Sequence, residues 1–331
     1  MTPQRKQVLI NIALLIMPCL LAAVAFWMTT TRHPSPRAQP AKVSKAQSQS
    51  SVVESSPKKP APPTPKPFTF PDGSRTLSPT YRLVALYGTP GASKLGALGQ
   101  QSLPDTLTRV KSLAASYQAF SSAPVMPALE IITTVASASP TANNDYSSEI
   151  PADTIQPWID AARQAGVYVV LDLQPGRSDF LTQAKEYEGL LSDPDVGLAL
   201  DPEWRLQPDQ VPLKQIGSVS ITEVNATADW LATLTTSKDL PQKLFVLHEF
   251  RLSMLPNRDQ LDTSHTQLST VIQMDGQGAQ TTKLHTWNAI LASSPNGVRF
   301  GWKNFYQKDP VVLTPQQTMA LSPQPWYISY E

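Results

Sequence analysis

The sequence contains little of what several common kinds of site require. Cys19 is the single cysteine among 331 residues, so no disulfide can form within one chain. The four histidines include no His-x-x-x-His pair, and with no cysteine cluster either, a zinc site has little support. The sequence therefore predicts no metal and no cofactor.

Several catalytic motifs are missing as well. No Gly-x-Ser-x-Gly segment occurs, which disfavours the nucleophile elbow of an α/β-hydrolase. The glycine-rich segment 88–99 lacks the Gly-Lys-Ser/Thr ending of a phosphate-binding loop, and Pro90 removes an amide donor from it. No repeat with a period of about 20–50 residues is visible, so a solenoid is not expected.

Acidic and basic residues are unevenly divided along the chain. Residues 1–70 hold nine lysines and arginines and one acid, whereas the remainder holds 18 basic and 25 acidic residues. A folded part with net negative charge argues against nucleic acid as the main partner.

The N-terminal region has the composition of an export segment followed by a spacer. Residues 8–28 form an uncharged apolar run of 21 residues, long enough to cross a bilayer about 30 Å thick. Arg5 and Lys6 precede this run, which predicts a cytoplasmic N-terminus and an extracellular C-terminal domain. Segment 23–25 also fits a signal-peptidase cleavage site. The alternative is therefore that the apolar run is a cleaved signal peptide and that the protein is secreted. We predict a membrane anchor or signal peptide at 1–28 and a disordered linker rich in Pro, Ser, Ala and Lys at 29–75.

Residues 76–331 alternate short apolar runs with helix-like stretches. We predict eight strands, at 82–88, 126–133, 167–173, 196–201, 243–249, 270–275, 298–303 and 326–330. We predict helices at 104–120, 151–165, 281–292 and 314–321, and another that a capping box at Ser220 and Glu223 opens and that runs to Leu234. This alternation predicts an α/β domain, a (β/α)8 TIM-like barrel lacking the last helix, with an open doubly wound sheet as the alternative.

Acidic side chains gather at the predicted strand ends, where barrel enzymes place their active sites. In the segment 198–204, Asp201 and Glu203 share one face of the strand end, next to Trp204. Mutual repulsion among such acids raises the pKa of some of them and supplies a proton donor near neutral pH. We predict four catalytic candidates: Glu203, Asp201, Glu249 and Asp172.

Other polar and aromatic residues near the same strand ends are substrate-binding candidates. Aromatic rings can stack on sugar rings, and a buried acid such as Glu130 must be paired. These candidates are Glu130, Gln174, Trp204, Arg205, His248, Arg251, Gln273, Asp275, Trp302, Lys303 and Tyr306, with Trp326 as a further possible stacking residue.

Three segments carry a family resemblance. The runs 169–176, 197–205 and 301–306 resemble those of secreted or membrane-anchored actinobacterial barrel proteins, over about residues 81–331. This resemblance implies an extracytoplasmic barrel and transfers no catalytic residue.

The Asp201-x-Glu203 motif is similar to the acid motif of chitinase-like and lysozyme-like barrel hydrolases that act on N-acetylhexosamines. That resemblance implies Glu203 as proton donor and Asp201 as its assistant. The sequence departs from the retaining clan with a nucleophilic Glu at strand seven, because Trp302 and Lys303 occupy that place. Substrate-assisted and inverting schemes stay open.

Two functions from different classes follow from these observations. The first is a glycoside-hydrolase-like enzyme acting on a cell-envelope or environmental polysaccharide, with Glu249 or Asp172 positioning water; a lyase or transglycosylase would share its pocket. The second is a non-catalytic glycan-binding or scaffold protein, in which Arg205 and Arg251 would pair with the acids and leave no gap for substrate.

Overall fold

The computed structural model describes residues 68–331. The predicted anchor at 1–28 and the linker as far as residue 67 lie outside the described residues. Between residues 68 and 331, every helix is too short or too polar to cross a membrane.

The described chain contains ten strands and seven α-helices. The strands are β1 Arg82–Thr89, β2 Ala92–Gly96, β3 Val125–Ala136, β4 Ser147–Glu149, β5 Tyr168–Leu173, β6 Val196–Leu200, β7 Lys243–Glu249, β8 Leu268–Met274, β9 Arg299–Asn304 and β10 Tyr327–Tyr330. The helices are α1 Leu103–Gln118, α2 Ala152–Gln164, α3 Phe180–Glu186, α4 Glu188–Leu191, α5 Ile221–Ser237, α6 Gln280–Ser293 and α7 Pro315–Met319.

Eight of the strands form a closed parallel barrel. They follow one another in the order β1, β3, β5, β6, β7, β8, β9 and β10, and β10 pairs in parallel with β1, with Leu83 opposite Tyr327. This closure confirms the predicted TIM-like α/β barrel and rules out the open sheet. The other two strands pair antiparallel at the rim, β2 with β1 and β4 with β3.

Helices cover the outside of the barrel between most neighbouring strands. Ser220 caps α5 as predicted, because its side chain accepts a hydrogen bond from the Glu223 amide. The Glu223 side chain does not complete the expected capping box; it binds the Arg205 guanidinium and the Phe180 amide instead. Between β7 and β8 the chain forms two 3-10 turns, Leu252–Met254 and Arg258–Gln260, and no α-helix.

The alternation of side chains along the strands creates two separate apolar layers. On β6, Leu198 and Leu200 join the layer between strands and helices, whereas Ala199 faces the barrel interior. The interior layer is narrow, and it is filled from several strands by residues such as Val170, Val246 and Tyr327.

The N-terminal end of the barrel is closed by apolar residues that precede β1. Phe70, Leu77 and Tyr81 are buried and pack with Leu83 and Met126 of the strands. The polar side chains of the barrel interior lie at the opposite end, where the strands finish.

Candidate functional site

Polar side chains replace the apolar interior layer at the C-terminal end of the barrel. Residues i and i+2 of a strand face the same side. The residue two positions after an inward apolar residue such as Ala199 therefore also faces the interior, and at this end of the barrel it is polar. The inward set is Tyr87 on β1, Glu130 on β3, Asp172 on β5, Asp201 after β6, His248 on β7, Gln273 and Asp275 on and after β8, Lys303 on β9, and Ser329 on β10.

His248 lies at the centre of this polar layer. Its Nδ1 is 2.9 Å from Asp275 Oδ2, and its Nε2 is 2.7 Å from Glu130 Oε1. The Tyr327 hydroxyl donates to Glu130 Oε2 at 2.8 Å, so Glu130 has the pairing that its burial requires. Burial opposes protonation of His248, but the carboxylates of Glu130 and Asp275 raise its pKa well above the usual value.

Lys303 forms ion pairs with two further acids of the polar layer, Asp275 and Glu331. Its Nζ lies 3.3 Å from Asp275 Oδ1 and 3.1 Å from Glu331 Oε2, and it sits over the Tyr87 ring. Burial opposes ionisation of Asp275, yet Lys303 and His248 together hold its pKa below the usual value. Asp275 therefore stays negatively charged at neutral pH.

A cleft of about 560 Å³ opens above this layer. Such a volume lies within the range of small-ligand sites. Its wall includes six of the predicted site residues: Gln174, Asp201, Glu203, Trp204, Asp275 and Lys303.

Asp201 and Glu203 lie together in the wall of the cleft, as their spacing predicts. Pro202 begins a 3-10 turn that ends at Trp204, so the strand stops and Glu203 turns toward the opening. Gly217 packs on this turn, and its amide donates to the Glu203 carbonyl at 2.7 Å. The turn is therefore held from behind by a segment that has no room for a larger residue.

Both carboxyl groups bind protons more strongly than usual. Burial raises the pKa of Glu203 to about 7, and the negative charge of Asp275 adds to this effect. Burial also raises the pKa of Asp201 well above its usual value, with further contributions from Glu203 and Asp172. Near pH 7, Glu203 is therefore partly protonated, whereas Asp275 in the same cleft is ionised.

Asp172 is inward but lies below the cleft. Its Oδ2 accepts a hydrogen bond from the Tyr87 hydroxyl at 2.9 Å, and its side chain is fully buried. Burial, reinforced by Glu130, raises the pKa of Asp172 to about 7. Gln273 is also below the cleft, where its amide donates to the Ser329 hydroxyl at 2.7 Å.

Two predicted site residues face away from the interior. Glu249 follows His248 on β7, so it points to the outer layer, where it forms a bidentate ion pair with Arg258. Trp302 precedes Lys303 on β9, and it packs edge-on against Trp287 of α6 with ring centroids 5.8 Å apart. Neither side chain reaches the cleft, because neighbouring residues of a strand cannot share a face.

Four further candidates lie at or beyond the edge of the site. Arg205 pairs with Glu223, not with Glu203, and exposed Arg251 borders a shallow groove beside Glu203 and Trp204. Tyr306 packs on Tyr330 with ring centroids 5.2 Å apart and does not line the cleft. Trp326 precedes β10, at the closed end, between Arg82 and Arg299.

Several residues of the site are absent from the predicted set. Tyr87 and Tyr327 bind the buried acids, and Glu331 pairs with Lys303 and Lys308. The position of Tyr87 could have been predicted from its spacing. Leu83 and Ala85 face the interior, and Tyr87 is the next residue on the same face of β1.

Comparison with known proteins does not assign the chain to a family. No protein-family model matches the sequence, and no curated protein matches it. A solved structure that matches is proline utilization A (PutA) from Bdellovibrio bacteriovorus inactivated by N-propargylglycine, at 10% sequence identity and a TM-score of 0.34. The match covers 76% of this chain and 28% of that chain, and at this similarity it carries no argument about function.

Proposed function

We propose that this protein is a glycoside-hydrolase-like enzyme that acts outside the cytoplasm on a cell-envelope or environmental polysaccharide. The observation that carries the proposal is the pair Asp201 and Glu203, set beside Trp204 in a cleft at the C-terminal end of a barrel. Glycosidic bond cleavage needs one protonated and one ionised carboxyl group flanking the bond. Glu203 and Asp275 both line the cleft and have the opposite pKa shifts that such a pair needs.

Each acid receives a separate role. Glu203 protonates the leaving oxygen, because its pKa of about 7 keeps it protonated where most carboxyl groups are ionised. Asp201 orients Glu203 or the sugar from the adjacent wall. Asp275, kept ionised by Lys303 and His248, stabilises the positive charge that develops on the sugar ring or directs the attacking water.

Trp204 is the aromatic surface of the proposed site. It lines the cleft next to Glu203. The ring face can stack on a sugar.

The alternative of a non-catalytic scaffold would have the acids neutralised by nearby arginines. Arg205 is instead engaged by Glu223, and within residues 68–331 neither Asp201 nor Glu203 forms an ion pair. The acids are therefore available to a ligand, which argues against a scaffold with neutralised acids and leaves glycan binding without cleavage to be tested by experiment.

The experiment is incubation of the purified full-length chain with cell-wall glycans, followed by mass spectrometry of the released fragments. The Glu203→Gln variant should release fragments about 100-fold or more slowly, since general acid catalysis contributes roughly 10²–10⁴-fold. The matched control is Glu188→Gln, which changes an exposed glutamate on α4 and should leave the rate unchanged.

Two results would contradict the proposal. Equal rates for the wild-type protein and Glu203→Gln would remove Glu203 from the role of acid. Binding of glycan by the wild-type protein with no released fragment would favour the glycan-binding alternative.

A further inference from the structure

Three potential metal ligands converge inside the barrel, below the cleft. Glu130 from β3, Asp172 from β5 and His248 from β7 each offer one atom, and these atoms all lie within 4.8 Å of one another. All three side chains are fully buried. The donor set is two carboxylate oxygens and one imidazole nitrogen.

Each of the three side chains is held in place through its other polar atom. Tyr327 donates to Glu130 Oε2, Tyr87 donates to Asp172 Oδ2, and Asp275 binds His248 Nδ1, at distances of 2.8, 2.9 and 2.9 Å. Metal-binding histidines and carboxylates are usually fixed by such partners, which leave the remaining atom of each side chain directed at the ion. Here those remaining atoms are Glu130 Oε1, Asp172 Oδ1 and His248 Nε2.

Asp172 Oδ1 independently indicates a missing ligand. It is fully buried and has no hydrogen-bond partner among the described residues, and it lies 3.9 Å from His248 Nε2. A buried carboxylate oxygen without a partner is costly. A cation between Asp172 and His248 would satisfy it.

We propose that Glu130, Asp172 and His248 bind one divalent first-row transition-metal ion in the barrel interior. Metal–ligand distances of about 2.0–2.2 Å place neighbouring ligand atoms roughly 3–3.5 Å apart. His248 Nε2 is 2.7 Å from Glu130 Oε1 and 3.9 Å from Asp172 Oδ1, so these two distances need to change by only a few tenths of an ångström. The Glu130 and Asp172 oxygens lie within 4.8 Å of each other and draw together around the ion. The ion takes the place of the hydrogen atom shared by His248 and Glu130.

The ligand set selects the class of ion. An imidazole nitrogen with two carboxylates suits Zn²⁺, Mn²⁺ or Fe²⁺, whereas Ca²⁺ and Mg²⁺ prefer oxygen ligands throughout. Tyr87 and Asp275 line the cleft and also hold two of the ligands, so the cluster lies directly beneath the floor of the cleft. The inference does not depend on the proposed function: the ion fixes His248, and through it Asp275, whatever the cleft binds.

The experiment measures metal content on the full-length chain. The protein is stripped with a chelator, dialysed against Zn²⁺ or Mn²⁺, and analysed for bound metal per chain. The variants are Asp172→Asn and Glu130→Gln, which keep side-chain shape. The control is His265→Gln, because His265 forms the other three-ligand group among the described residues, with exposed Asp229 and half-buried Asp262 at the protein surface.

We expect about one tightly bound ion per chain in the wild-type protein and in His265→Gln, and at least a tenfold weaker affinity in the two interior variants. Loss of binding in His265→Gln alone, or no binding by the wild-type protein, would overturn the proposal.

If the interior variants do not fold, as judged by circular dichroism, an anomalous-scattering map of Zn²⁺-soaked wild-type crystals decides. A peak between Glu130, Asp172 and His248 supports the site, and its absence there refutes it. None of these readouts requires glycan cleavage, so the metal site and the hydrolase proposal can fail separately.

Discussion

A carboxyl group acts as an acid near neutral pH only where its surroundings resist its ionisation. Burial provides that resistance for Glu203, and the nearby charge of Asp275 adds to it. Asp275 is itself buried, but Lys303 and His248 stabilise its negative charge. Two carboxyl groups in one cleft are thus driven to opposite protonation states by their neighbours.

For the proposed hydrolase, this difference predicts how the rate of glycan cleavage depends on pH. Glu203 must be protonated to act as the acid, so the rate should fall as pH rises through about 7, approaching a tenfold loss per unit above it. The pKa of Asp275 is lowered from its ordinary value of 3.8, so the loss of rate caused by its protonation should occur only below pH 3.8. The measurement is the initial rate of fragment release in buffers of constant ionic strength. A rate that stays constant from about pH 5 to pH 9 would contradict the assignment of Glu203.

Sequence reasoning identified the strand ends that carry the site but not which side chain of each faces inward. His248 and Glu249 were both predicted to take part, as were Trp302 and Lys303, although the alternation along a strand allows only one of each pair to face the interior. Which alternate residues of a strand face the interior is fixed by how that strand packs against its two neighbours. This packing cannot be read from the sequence alone. The convergence of Glu130, Asp172 and His248 was missed for a related reason, because their strands are brought together only when the barrel closes.

At the element scale, the long apolar strands were predictable and the short polar elements were not. β7 has the predicted bounds, and the other seven barrel strands differ from prediction by one to three residues at an end. α3 and α4 were not predicted, since they are seven and four residues long and carry several polar residues. Their start signal was present at Asp179, whose side chain accepts from the Thr182 amide.

The packing of β6 against β7 depends on a glycine that faces the narrow interior. A Cβ atom at Gly197 would lie 2.6 Å from the Leu244 carbonyl oxygen and 3.1 Å from the Tyr168 hydroxyl. The Tyr168 hydroxyl in turn accepts a hydrogen bond from the Leu244 amide at 3.1 Å. The strand therefore tolerates only glycine at this point.

Gly197→Ala should lower the free energy of unfolding by about 1–3 kcal/mol, since overpacking forces the strands apart. The matched control is Gly189→Ala in α4, where an added Cβ meets nothing within 4 Å. That change should raise the free energy of unfolding by about 0.4–1 kcal/mol, because alanine restricts the unfolded chain. Chemical denaturation of both variants measures the difference. Equal denaturation midpoints for Gly197→Ala and Gly189→Ala would show that the barrel interior can rearrange to accept a Cβ atom at Gly197.

The whole barrel has a polar cleft at one end and an apolar, closed surface at the other. The polar layer and cleft occupy the C-terminal end, where charges are held by neighbouring charges. The other end is closed by Phe70, Leu77 and Tyr81, which exclude water from the apolar interior layer. Phe70 lies within the stretch predicted as linker, yet it is buried, so the folded part includes residues before 76.

This separation predicts that the closed end can be weakened without changing the chemistry of the cleft. Phe70 is buried between Phe68 and Tyr81, with ring centroids 5.6 and 5.9 Å away, and Phe70→Ala should lower the free energy of unfolding by about 3 kcal/mol. Phe120→Ala, which removes a ring that is 40% exposed, should change it by less than about 1 kcal/mol. Well below the unfolding midpoint, the proposed cleavage of glycan should proceed at the wild-type rate in both variants, because neither ring lines the cleft. A slower rate for folded Phe70→Ala would mean that packing at the closed end sets the positions of the acids, and the two ends would then not be independent.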